Sequence, residues 1–399
     1  MNRPPDHPQL TRWRANTPEV TRLIHLNNAG AALAPLPVRR AVAEYLEREA
    51  ALGGYEAAEA SAEQVRAASE RVAALIGARR RNIALTQNAT TAFAQAMATF
   101  DFHHGDRILT SRADYASNQI MYLALAQRLG VEVVRVPDAP EGGIDPDALD
   151  REAARRRPAL VALTWVPTNS GLVQPLESVG EVCRRREIPY LVDACQAVGQ
   201  LVVDVERLGC DYLAAAARKF LRGPRGIGFL YAADRVLEAG AYPITVDMHG
   251  ATWSDPDRFT LTPDARRFES WEISYALVAG LGAAAAYALE VGIPTAGARA
   301  SALAAYARER LGAIAGVRVL DRGPALCAIA TAAVAGRDAE SLKLALRARG
   351  INTSAADRED AVIDMDEKGT RSVLRLSPHY YNTPEEIDAA VAALAELLA

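Results

Sequence analysis

Lys219 follows an apolar run and opens onto glycines and prolines in RKFLRGPRG (218–226), and its residue type is uncommon here. Only three of the 45 Lys and Arg residues are lysine, at 219, 343 and 368. Where positive charge alone is wanted this chain uses arginine, which cannot shed its proton, whereas a lysine beside another cation and apolar walls can become a nucleophile. Lys343, on a predicted surface helix, and Lys368, in DMDEK (364–368), read as ordinary solvated cations. Lys219 has chemical company. Upstream, LVDACQ (191–196) ends an apolar strand with Asp193 and Gln196, and an acid at the carboxyl end of a parallel strand faces the crevice where α/β proteins bind ligands. Further upstream, TQNATTAF (86–93) sets Ala89, Thr90 and Thr91 between a strand and a helix, where free amides and the positive helix end hold phosphate. Thr90 and Thr91 read equally as simple helix caps. A phosphate cradle, an acid and an amine together suit pyridoxal 5'-phosphate: the amine attaches it, the acid keeps its ring nitrogen protonated and the cradle anchors its phosphate.

These residues need a scaffold, and the chain alternates short apolar runs with amphipathic stretches from about 82 to 232. Runs at 83–87, 107–111, 131–137, 160–166, 190–194, 212–217 and 226–232 read as seven strands. Most are apolar at successive positions, the mark of strands covered on both faces by helices, so the expectation is an α/β fold with a mostly parallel seven-stranded sheet sandwiched by helices. Too few residues separate the last two runs for a crossover helix, which makes that pair antiparallel. Beyond about 295 the rhythm changes to that of a smaller C-terminal α+β domain, with strands expected at 317–320, 325–331 and 371–377, helices at 295–315 and 338–349, and a last helix from Pro384. The domain expectation is an N-terminal arm over 1–20, a large domain over 21–285 and a small domain over 286–399. The stretches 247–268 and 353–371 read as long polar loops with a functional role.

Composition narrows the function classes. With 399 residues, 50% of them hydrophobic, the chain holds a large core; its net charge of -4 and scattered arginines give no footprint for nucleic acid or an anionic membrane. The N-terminus has no apolar leader, which predicts a cytoplasmic protein. The uncharged stretch 273–289 is Ala- and Gly-rich and short for a membrane span, so it reads as a buried helix. Cys183, Cys195, Cys210 and Cys327 and the six histidines show no metal-binding spacing, and no metal is expected.

Six ordered motifs carry a resemblance that spans nearly the whole chain: HLNNAGAALAP (25–35), QNATT (87–91), TNSGLVQP (168–175), VDACQAVGQ (192–200), RKFLRGPRGIGFLY (218–231) and LRLSPHYYNTPEEID (374–388). The sequence resembles the class V aminotransferase family of pyridoxal-phosphate enzymes, of fold type I. The resemblance implies that Lys219 attaches the cofactor, Asp193 partners the ring nitrogen, Gln196 sits near the ring hydroxyl, and Ala89, Thr90, Thr91 and Arg218 serve the phosphate. It implies that Asn169 approaches the cofactor or the substrate carboxylate, that Arg375 receives that carboxylate, and that Asn28 lies in the substrate site. It also implies a homodimer acting on a small-molecule amino-acid substrate. Two departures matter. Tyr115, in SRADYASN (111–118), stands where cysteine desulfurases of this family stack a histidine on the ring, and 352–371 lacks their nucleophilic cysteine. Cys195 reads as core packing. EREAALGGYEAAEA (47–60) and the motifs around Tyr115 and Lys219 resemble the branch that contains the ergothioneine-pathway sulfoxide lyase and isopenicillin N epimerase-like proteins, which implies that the turn at Tyr55 reaches the site. The expectation is β-elimination from an S-substituted cysteine by a carbon-sulfur lyase. Epimerisation or transamination of an amino acid is the alternative within the family, and a non-catalytic cofactor-binding protein the alternative outside it.

Overall fold

The computed structural model describes residues 3–399, so the first two residues of the expected arm lie outside it. Seven strands form the large sheet, in the order Ile83–Thr86, Gly228–Ala232, Tyr212–Ala216, Tyr190–Asp193, Leu160–Thr164, Arg107–Thr110, Glu132–Arg135. The five strands from Arg107 to Ala216 run parallel, while Gly228–Ala232 is antiparallel to both of its neighbours. This is the expected sheet, with one reversed strand inserted between two of the common direction. Every residue of the six strands other than Glu132–Arg135 is buried, as strands roofed by helices on both faces must be; Glu132–Arg135 is an edge strand and partly exposed. The stretch around 273–289 is indeed a helix, Tyr275–Val291, largely buried against Leu36–Leu52 and Ala62–Leu75. No single helix among the described residues is long and apolar enough to cross a membrane.

A second sheet of four antiparallel strands, ordered Val317–Val319, Ala330–Val334, Ser372–Leu376, Ser354–Asp357, lies in the C-terminal part with the helices Ala339–Ala348 and Pro384–Leu398. The apolar run expected as a strand at 325–331 pairs in this sheet only from Ala330. Its first half is spent on the large domain: Cys327 N donates to Gly171 O at 2.8 Å, and Ala328 N to Gln200 Oε1 at 3.0 Å. Apolar pattern reports burial, and here the burial is against a neighbouring layer. The two stretches read as loops are ordered as well. Residues 247–268 contain the hairpin Ala251–Asp255/Arg258–Leu261, and 353–371 contain a strand, a tight turn at Arg358–Asp360 and the helix Val362–Glu367. Their polarity follows from exposure.

The N-terminal helix Leu10–Ala15 is anchored by Trp13, 1% exposed, edge-on to Tyr380 at 5.0 Å. Chain entry is thereby fixed to the segment after Arg375, next to the crevice at the carboxyl ends of the parallel strands.

Candidate active site

Three parallel strands end in polar residues that converge: Thr110, Thr164 and Asp193. The reversed strand reaches the same crevice after the turn that holds Lys219. A cavity there is walled by Asn88, Ala89, Thr90, Tyr115, Asn118, Asp193, Cys195, Arg218 and Lys219, so residues separated by more than a hundred positions meet because the sheet brings strand ends together.

Lys219 is 7% exposed and has no ion pair among the described residues. Its ammonium lies 5.8 Å from the centre of the Tyr115 ring. Burial, with the charges of Arg218 and Arg375, pulls its pKa below the ordinary lysine value, while Asp193 opposes the shift. Asp193 is buried and held from two sides: Cys195 N donates to Oδ1 at 2.9 Å and Asn118 Nδ2 to Oδ2 at 3.0 Å. Cys195 packs with Ala89 and Ala216, yet also walls the cavity; burial raises its thiol well above the ordinary value, which keeps it protonated.

Phosphate chemistry is available at the helix Ala89–Met97. Asn88 caps it by accepting from Thr91 N at 2.9 Å, a cap that contributes about 1 kcal/mol, and the amides of Ala89 and Thr90 remain at the cavity wall. Gly228 lets the backbone close in: a Cβ there would sit 2.5 Å from Ala215 O and 3.1 Å from Ala89 N. Arg218 donates to Gly30 O, and burial lowers its pKa. Thr91 does not line the cavity. Its amide and hydroxyl both go to Asn88 Oδ1, so of the two threonines only Thr90 is free.

Arg375 is 4% exposed; it donates to Thr168 O at 2.8 Å and Asn27 Oδ1 at 3.2 Å, and its Nε has no partner. Burial lowers its pKa to about 10, so it is still cationic at neutral pH. Asn169 Oδ1 and Gln196 Oε1 are likewise buried without partners, Gln196 being tethered through Nε2 to Ala29 O at 3.0 Å. Unpaired buried polar atoms are costly and call for a bound group. Free helix-terminal amides, a buried acid, an aromatic face and an amine, with these orphaned atoms, fit pyridoxal phosphate and an amino-acid carboxylate.

Two of the expected site residues do not line the cavity of their own chain. Asn28 is fully buried, and its amide is consumed: Oδ1 accepts from Tyr381 Oη at 2.5 Å and Nδ2 donates to Ser377 O at 2.7 Å. Its neighbour Asn27 is the one that touches Arg375. Tyr55 is 77% exposed on the helix Gly54–Ala60 and is absent from the walls of its own chain's cavity. Sequence reasoning also missed Asn118 and Asp114. Both lie within three residues of Tyr115 in SRADYASN, but the bond from Asn118 to Asp193 and that from Thr164 to Asp114 are tertiary facts.

A family model described as Aminotransferase class-V matches residues 24–390. The chain is 30% identical over 395 residues (98% of this chain, 94% of the relative) to a probable hercynylcysteine sulfoxide lyase of Mycobacterium tuberculosis. It is 28% identical over 393 residues (96% and 97%) to a probable cysteine desulfurase of Methanothermobacter thermautotrophicus. In fold it is similar to an apo cysteine desulfurase of Thermococcus onnurineus, with a TM-score of 0.89 at 24% identity over 100% of this chain and 98% of the other.

Proposed function

The chain belongs to the class V aminotransferase family of pyridoxal-phosphate enzymes, and from that premise we propose that it is a carbon-sulfur lyase that removes the β-substituent from an S-substituted cysteine. When bound, pyridoxal phosphate supplies the electron sink that makes bonds at an amino acid's α-carbon labile. Lys219 attaches it and, with its amine freed, takes the α-proton at Nζ, a role suited to a lysine whose burial weakens its hold on its own proton. Asp193 would keep the ring nitrogen protonated, and Tyr115 would pack against the ring. The amides of Ala89 and Thr90, with Arg218, would hold the phosphate, and Gln196 would serve the ring hydroxyl. Arg375, with Asn169 beside it, fixes the substrate carboxylate through a planar guanidinium. With the α-proton on Lys219, the Cβ–S bond breaks, its electron pair leaving on sulfur, and the released enamine hydrolyses to pyruvate and ammonia.

One observation carries the choice of reaction. The segment 352–371 contains an acidic turn and the helix Val362–Glu367, no cysteine, and all four cysteines of the chain are buried elsewhere. The site can cleave a carbon-sulfur bond but presents no exposed thiol to carry sulfur away. Incubating the purified protein with cysteine conjugates and their sulfoxides, and assaying pyruvate, tests this: stoichiometric pyruvate and ammonia are expected. Exchange of the α-proton into deuterated solvent without pyruvate would replace the lyase by an epimerase.

The proposal includes a homodimer and the three-part division at 20 and 285. Large apolar side chains are exposed at Tyr55, Tyr242, Ile244, Met248, Trp253, Phe259 and Trp271, and Tyr242 and Phe259 lie edge to face at 6.0 Å, which supports a surface that a second copy covers. Sedimentation of the holoprotein at twice the chain mass is the expected result.

A further inference from the structure

A second carboxyl is buried beside Asp193. Asp114 is 7% exposed, with no ion pair among the described residues. It accepts from Tyr115 N at 2.7 Å, Gln119 Nε2 at 2.9 Å, Thr110 Oγ1 at 3.0 Å, the Thr164 hydroxyl and, at 3.5 Å, Asn118 Nδ2. Burial raises its pKa, and these donors and Asp193's charge act in smaller degree. Five donors converging on one carboxyl make a built feature, since buried polar groups of this kind are expensive unless each is satisfied.

The donors also fix a direction. Thr164 has one hydroxyl hydrogen and gives it to Asp114, so its oxygen receives Asn118 Nδ2 at 3.2 Å. Asn118 must therefore present nitrogen to this side, and Nδ2 also reaches Asp193 Oδ2 at 3.0 Å. A flipped Asn118 would set its carbonyl oxygen against the Asp193 carboxylate and lose both bonds. The order Asp114, Thr164, Asn118, Asp193 has only one consistent polarity. The same Asp114 carboxyl accepts the backbone amide of Tyr115 at the start of the helix Ala116–Leu129, and so holds the residue whose ring lies over Lys219.

We propose that Asp114 and Asn118, linked by Thr164, are positioning residues that set Asp193 and Tyr115 as a single unit. This inference rests on the reading of Asp193 as the partner of the ring nitrogen. Its consequence is that loss of the Thr164 hydroxyl, which is hydrogen-bonded to Asp114 and Asn118 and, among the described residues, not to Asp193, its cross-strand neighbour, disturbs the ring nitrogen.

The test uses holoprotein reconstituted with pyridoxal phosphate labelled with 15N in the ring, read by the 15N chemical shift and by equilibrium cofactor affinity. Asn118→Ala is expected to weaken cofactor binding about tenfold, the effect of losing one hydrogen bond to a buried charged group, and to move the 15N signal toward the unprotonated position. Thr164→Val is expected to move both readouts the same way by about threefold in affinity, and Thr164→Ser, which keeps the hydroxyl, to match wild type. The Thr164 pair decides the matter if Asn118→Ala does not fold. Wild type that binds cofactor with a protonated ring nitrogen, alongside variants unchanged in shift and affinity, overturns this inference and leaves the proposed function standing. Wild type that binds no cofactor overturns both.

Discussion

Two buried cations lie three residues apart in the chain and do opposite work. Lys219 is 7% exposed, walls a cavity and has no anionic partner among the described residues, and burial depresses its pKa, which suits the reactive amine proposed for it. Arg222 is 2% exposed and fully engaged: Nε donates to Leu33 O at 2.9 Å, Nη1 to Tyr380 Oη at 2.6 Å and Nη2 to Thr17 Oγ1 at 2.5 Å, while the Tyr381 ring lies 4.4 Å from the guanidinium. Those partners come from the N-terminal segment, the turn after Asn28 and the segment after Arg375, so Arg222 ties three stretches of chain around the lysine turn. Its own backbone is left-handed, at φ 62°, and its amide donates back to Lys219 O at 2.8 Å. The same positive charge is left open for the chemistry proposed at Lys219 and is spent on architecture at Arg222.

The comparison breaks if the residue types are interchangeable. Lys219→Arg keeps the charge but cannot give up a proton, and pyruvate formation is expected to fall by about 10⁴-fold or more with the fold intact by circular dichroism. Arg222→Met strips three acceptors of their donor and is expected to cost about 3 kcal/mol in urea unfolding, with the cofactor still attached at Lys219. A weaker effect is a pH slope. His379 gives its Nε2 hydrogen to Phe220 O at 2.9 Å and accepts Tyr380 N at Nδ1, so it is buried neutral; burial first, then Arg222, lower its pKa to about 3. The unfolded chain takes that proton near pH 6.5 and the folded chain does not, so stability falls as pH drops from 6.5 toward 3. His379→Asn should flatten the stability slope in that window by up to about 1.4 kcal/mol per pH unit. The smallest effect has the opposite sign. His249 lies 2.9 Å from Glu269, whose hydrogen bond raises its pKa, so the pair stabilises below the ordinary histidine value and its contribution fades as pH rises through the folded value. The pair is partly exposed, and His249→Gln should cost only a few tenths of a kcal/mol, at acid pH, in thermal melts.

Much of this was legible in the sequence because strand ends have a fixed place in parallel sheets. Continuous apolar runs gave the seven strands, and Asp193 and Lys219 followed as residues at strand ends facing one crevice. What stayed hidden depends on side-chain direction. Thr91 and Thr90 are indistinguishable in QNATT until Asn88 claims one of them. Asn27 and Asn28 are adjacent, and only the pairing of Ile24–His25 with Ile351–Asn352, which carries the chain past Ser377, decides which faces Arg375. Asp114 sits in a polar turn where an acid is ordinary, and its partners are Thr110, four residues earlier, and Thr164, fifty residues away on another strand. Tyr55 is exposed because its helix stands on the surface, where no pattern in GGYEAAEA would have located it.

The central claim is that Lys219 is the amine that holds the cofactor. Borohydride reduction of the holoprotein followed by peptide mass mapping should place the reduced pyridoxyl group on the peptide containing Lys219, and leave those containing Lys343 and Lys368 unmodified. The group on either of the other two lysines, or on none, would contradict the account.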